Sequence, residues 1–330
     1  MPDFKEIARI LVDRQMRIQE NEVVKVSGGL HNLELIEEIA VQIRKNGAFP
    51  MVSIGWESIL RRLINDAPDS CLKIPPRYRV DIENLIDCRI SLPMVPDERS
   101  AARMNPEKIR LVSKALRCVQ EASSRKGYRR IGIGFPTPEE AESYGLPFDE
   151  YSETFWGAVN ADIDQVSELC HSVRERLRGQ NARVVSPGGE ELTFSIANRR
   201  INMDDGIISD EDIATGDITA NLPFGEVYLA PVEETVNGVV VFPVVFHQGV
   251  KIENLRLVFR DGEMVESSAE TNHQLFVDTM ATYTGDKNKI GELGIGTNHM
   301  VHEPTGNITL DEKIYGSIHL ALGNNTNYGG

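Results

Sequence analysis

The chain has 330 residues, of which 41% are hydrophobic and 26% charged, a globular composition long enough for about two domains. Its net charge of −15 is uneven: residues 181–330 hold 9 Lys+Arg against 22 Asp+Glu, while residues 1–180 hold 26 against 28. Such acidity argues against binding nucleic-acid phosphates, no apolar run approaches the roughly 18–20 residues of a membrane span, and four cysteines without a CxxC (Cys71, Cys88, Cys118 and Cys170) read as reduced, mostly buried thiols rather than a disulfide framework or a metal site.

At the start of the chain, Phe4, Ile7, Ala8 and Leu11 share a helical face interrupted by charges. The segment is not a signal peptide, so a cytoplasmic protein is expected. "EVVKVSGG" then reads as a strand and "HNLELIEEIAVQIRKNG" as a helix, with Leu35, Ile36, Ile39, Ala40 and Ile43 in its stripe and Gly47 at its C-terminal cap. "FPMVSIG", "LIDCRISLP" and "RRIGIGFP" read as further strands, with "PEKIRLVSKALRCVQEA" as a helix before the last. This alternation predicts an open, mostly parallel α/β sheet domain over residues 1–150. Gly28-Gly29, Gly132 and Gly134 do not spell GxGxxG, so they read as tight turns or close packing rather than a nucleotide site.

From Tyr151 to Arg178, the apolar positions Phe155, Ala158, Val159, Ile163, Val166, Leu169, Val173 and Leu177 predict one long helix joining two domains. The remainder of residues 151–330 reads as a β-rich α+β domain. "ARVVSPGGEELTFSIANRRIN" predicts a hairpin with Pro187-Gly188-Gly189 at its tip, and "LRLVFRDGEMVE" another turning at Asp261-Gly262. "NGVVVFPVVF" reads as a buried strand pair or bent strand, and "SAETNHQLFVDTMATY" as a helix.

Five of the seven histidines lie between His247 and His319. Three segments there place an acid or imidazole among small and apolar residues: Glu226 in "PFGEVYLAP", Glu292 in "KIGELGIGTN" and His319 in "GSIHLALG". Taken singly, each has an ordinary explanation: an ion pair or cap for Glu226, a turn cap for Glu292, a hydrogen-bonded core imidazole for His319. Together, two carboxylates and a histidine aimed into one cavity call for a divalent cation, and a mixed O/N ligand set suits zinc, cobalt or manganese. "HMVHE", with His299 and His302, is not HExxH and lies in a predicted loop, and "DDGIISDED" lacks EF-hand spacing and reads as a solvated loop. No GxSxG is present.

"NLPFGEVYLAPVEETVNGVVVF", "IGELGIGTN" and "LDEKIYGSIHLALG", with "ELTFSIANRRINMDDG" upstream, together resemble the aminopeptidase T family of metallo-aminopeptidases (thermophilic metalloprotease-like). The resemblance is fullest over about residues 185–330. It implies that Glu226, Glu292 and His319 are metal ligands, with Tyr328 as a further one at a slightly longer spacing than the family's. It also implies one or two divalent ions, a homodimer formed through the second half, and small peptides with a free N-terminus as substrates. A water activated by two ions about 3.5–4 Å apart would attack the N-terminal peptide bond. The family's His-x-Asp pair near the C-terminus does not occur through Gly330. No general base is identifiable. Two rivals remain: a mononuclear iron ring-cleaving dioxygenase of the related dihydroxypyridine group, and a metal-free, non-catalytic homologue. The dioxygenase would want a histidine at position 292 and none at 319, so the ligand chemistry favours the hydrolase.

Overall fold

A computed structural model describes residues 2–95, 104–247, 249–326 and 329–330. It divides into two compact units, Met1–Glu140 with Gly206–Leu222 and Ala141–Asp205 with Pro223–Gly330. The boundary therefore falls earlier than a single cut at residue 150, and the chain returns to the first unit for one strand. Among the described residues, no helix is long and apolar enough to cross a membrane.

The first unit is built on five parallel strands in the order Phe49–Gly55, Val23–Gly29, Cys88–Ser91, Arg129–Ile133, Thr219–Leu222. Val24, Val26, Ile90, Ile131 and Ile133 are buried along it, as expected of strands covered on both faces. The helix Leu33–Lys45 buries Leu35, Ile36, Ile39 and Ile43. It is followed by Gly47 in the left-handed region at φ +79°, the conformation that glycine adopts without steric penalty. Gly28 makes room for Asn32, whose side-chain oxygen accepts a 2.8 Å bond from the Gly29 amide. This unit also buries one carboxylate: Glu83 is 1% exposed and is engaged by Arg89, Lys25 and the Tyr128 hydroxyl.

The second unit contains two antiparallel sheets. One runs Glu263–Ser268, Val250–Arg260, Asn237–His247, Glu191–Ser195, Asn181–Val185. The other runs Ile318–Leu322, Ile290–Gly296, Glu226–Leu229, Asn202–Asp204. A shared apolar core joins them, with Leu192, Phe194, Val240 and Phe259 from the first sheet and Leu229, Ile290 and Leu293 from the second. Both predicted hairpins form. Asp261 and Gly262 sit at φ 49° and 88°, the paired positive values of a two-residue turn whose twist matches its strands. "NGVVVFPVVF" lies within a single 11-residue strand, Asn237–His247, in which only Val240 is buried.

The expected long helix is two helices, Phe148–Val159 and Ile163–Arg176, both within the second unit. Asn160 turns its amide back onto the Trp156 carbonyl at 2.8 Å, and Asp162 accepts from the Asp164 and Gln165 amides as a new N-cap. The apolar stripe runs through the break because the buried face resumes in phase. The cysteines are free as expected, but Cys71 is exposed and Cys118 half-buried; only Cys88 and Cys170 are buried.

Candidate metal centre

In the four-stranded sheet of the second unit, alternation sends Leu229, Leu293, Leu320 and Leu322 toward the apolar core. The opposite face collects charge. Gly294 pairs with His319, Gly296 with Glu226, and Glu226 with Asp204. Directly paired residues share a face, so Glu226, His319 and Asp204 point the same way.

Glu292 joins them through a bulge. Ile290 pairs with Leu322 and Glu292 with Ala321, with a register shift between them. A regular strand would place Glu292 on the same face as Ile290, which is buried in the core. The extra residue, Gly291, turns it outward, a re-aiming that bulges commonly perform. Gly291 also passes close to the Gly323 carbonyl, leaving no room for a side chain.

The three sequence-predicted ligands thus converge. One donor atom from each of Glu226, Glu292 and His319 lies within 4.8 Å of the other two. His319 Nε2 is 3.0 Å from Glu292 Oε1 and 3.6 Å from Glu226 Oε2. Glu226 and Glu292 are 6% and 8% exposed. Tyr328 lies outside the described residues. His299 and His302 do not join the group, and among the described residues no other cluster of three His, Cys, Asp or Glu side chains presents such converging donors. Cys170 is close by, but burial pushes its thiol up to about 12. It stays neutral and hydrogen-bonds Thr297 at 3.1 Å.

The sequence did not single out Lys313. Its side chain is completely buried, with Nζ 2.5 Å from Glu226 Oε1, 3.6 Å from Asp204 Oδ2 and 3.5 Å from Glu312 Oε2. Its backbone is pinned by Asn298, whose amide donates to the Lys313 carbonyl at 3.1 Å and whose side chain donates to the Phe224 and Ala158 carbonyls. Asp204 corrects another expectation: the "DDG" that begins the acidic run is buried, not solvated, with Asp205 accepting from Ser167 at 2.6 Å.

Four carboxylates therefore face one ammonium and one imidazole. Burial by itself would lower the pKa of both cations. For Lys313 the charges of Glu226, Asp204 and Glu312 outweigh it and hold the ammonium above its ordinary value. For His319 the Glu292 hydrogen bond and the charges of Glu226 and Glu312 do the same. Glu312 is raised, first by burial and then by Glu226. In this cluster, Glu226 Oε2 and His319 Nδ1 are buried without a hydrogen-bond partner among the described residues.

The residues fit a divalent cation. An orphaned carboxylate oxygen, a second carboxylate and an imidazole nitrogen face a common point, and the local charge balance is negative. Oxygen and nitrogen donors of this kind suit zinc, cobalt or manganese.

The chain matches the thermophilic metalloprotease family (M29) over residues 2–328 and belongs to that family. Wild-type AmpT from Thermus thermophilus is similar in structure, with a TM-score of 0.72 and 19% identity over 96% of this chain and 84% of that one. The 2,5-dihydroxypyridine dioxygenase from Pseudomonas putida KT2440 is less so, at 0.55 and 13% over 99% and 88%. Likeness at such identities speaks to the fold alone. No curated protein sequence matches the chain.

Proposed function

We propose that this M29 protein is a metal-dependent aminopeptidase that removes the N-terminal residue of short peptides. The observation that carries the reading is the convergence of Glu226, Glu292 and His319 within 4.8 Å on one sheet face. A divalent cation bound there supplies Lewis acidity and lowers the pKa of bound water toward about 7. Glu226, Glu292 and His319 hold it, with Tyr328 as a further ligand from the C-terminal segment. Without the cation, Glu292 holds the imidazole in place, its carboxylate lying 3.0 Å from Nε2. The surplus of carboxylates over cations around the site favours a substrate that brings a free ammonium group.

Within this reading the protein is cytoplasmic and forms a homodimer through its second half, and its substrates are small peptides rather than nucleic acids or membranes.

The test is direct. Purified protein loaded with zinc, cobalt or manganese is expected to release the first residue of short peptides, to leave N-acetylated peptides intact, and to lose activity on chelation. Turnover of blocked and free peptides at equal rates, or activity untouched by chelation, would refute the assignment. Oxygen uptake with iron(II) and a dihydroxypyridine would support the dioxygenase chemistry instead.

A further inference from the structure

Lys313 has no role in the proposed reaction, yet it is the most deeply buried charge of the site. Its ammonium stands among Glu226 Oε1 at 2.5 Å, Glu312 Oε2 at 3.5 Å and Asp204 Oδ2 at 3.6 Å. Three carboxylates around one point could neutralise a divalent ion as well as they do this ammonium. Glu226 is shared: Oε1 goes to Lys313, while Oε2 has no hydrogen-bond partner and faces His319 and Glu292. A lysine whose backbone is pinned by Asn298 and whose side chain is fully enclosed cannot swing aside to admit an ion.

We infer that Lys313 is a built-in cation that takes the place of one metal, so that the site holds a single exchangeable ion between Glu226 Oε2, Glu292 and His319. The inference rests on the metallopeptidase reading above and narrows it from one or two ions to one. Lys313 is a positioning residue: by occupying Oε1 it fixes the Glu226 carboxylate and leaves it a one-oxygen ligand.

Metal content of the wild-type chain, measured by mass spectrometry after loading with zinc or manganese and dialysis, separates the outcomes. One tightly held ion per chain is expected. Two would overturn the inference while leaving the metallopeptidase reading intact, and none would overturn both. Two variants probe the charge. Lys313→Met keeps the bulk and removes the charge, so it is expected to bind the one ion roughly tenfold or more tightly, since a nearby repelling cation is gone. It is also expected to melt lower without metal and to recover on adding it. Lys313→Ala opens space and is expected to raise the metal content from one to two. A Lys313→Met protein with wild-type metal affinity and wild-type metal-free melting would show Lys313 to be packing alone and overturn the inference. Should neither variant fold, the wild-type metal count decides.

Discussion

Among the described residues, two clusters of charged side chains form around buried carboxylates, and the protein treats them differently. In the parallel-sheet unit, Glu83 meets Arg89, Lys25 and the Tyr128 hydroxyl, and both its oxygens are bonded. In the second unit, Glu226, Glu292, Asp204 and Glu312 share one lysine and one histidine, and a buried oxygen of Glu226 stays unbonded. The first cluster is a closed ion-pair network that ties the helix Arg77–Leu85 to two neighbouring strands. The second is an open one, with acceptors left over. A buried carboxylate that lacks a partner costs several kcal/mol, roughly, so among the described residues the open cluster keeps an acceptor that a bound cation would satisfy.

The largest expected effect tests the closed side. Burial works to raise the pKa of Glu83, but the Tyr128 hydrogen bond and the charges of Arg89 and Lys25 hold it below its ordinary 4.5. Glu83→Gln strands two partly buried cations, and breaking such a pair costs about 3–5 kcal/mol. Denaturant unfolding at pH 7 is expected to show that loss. Because the folded pKa is depressed, the carboxylate's contribution is complete above 4.5 and drains away as pH falls through the lower folded value. The gap between wild type and variant should close in acid. A gap that persisted there would mean that shape, not charge, holds the cluster.

On the open side, the sign reverses. Glu292→Gln removes one of four crowded carboxylates, so metal-free stability is expected to hold or rise. Metal affinity and peptidase activity should fall by at least about a hundredfold, since changes outside the ligand set already cost 10–100-fold. If the variant instead melted lower like Glu83→Gln, the two clusters would be alike and the comparison would break.

How far the sequence revealed this depends on distance along the chain. The first four parallel strands were readable because each carries its own apolar run and stop signal. The fifth, Thr219–Leu222, was not: four residues long, it makes sense only beside Arg129–Ile133, far upstream. Glu226, Glu292 and His319 were visible as charges in apolar surroundings. Lys313 lay in plain view in "DEKIYG" but looked like any solvated lysine. Two of its three carboxylate partners arrive from distant strands, Asn202–Asp204 and Glu226–Leu229, and only the fold brings them together. The break at Asn160–Asp162 had a local signal, the Asp162 cap, which the unbroken apolar stripe masked.

The mildest test separates ligand identity from ligand placement. Gly294 pairs with His319, and the imidazole lies over the glycine so closely that a methyl group there would collide with it. Gly294→Ala leaves every ligand in place chemically and every charge of both clusters unchanged. The ring must yield, because the backbone beneath it is held in the centre of the sheet by strands on both sides. Overpacking of this kind costs about 1–3 kcal/mol, and metal sites tolerate only about half an ångström of misplacement. Zinc or manganese affinity is therefore expected to fall by about tenfold, less than for loss of a ligand, as read by titration calorimetry. Unaltered affinity would mean that His319 can find the ion from another rotamer, and that the glycine serves the sheet rather than the site.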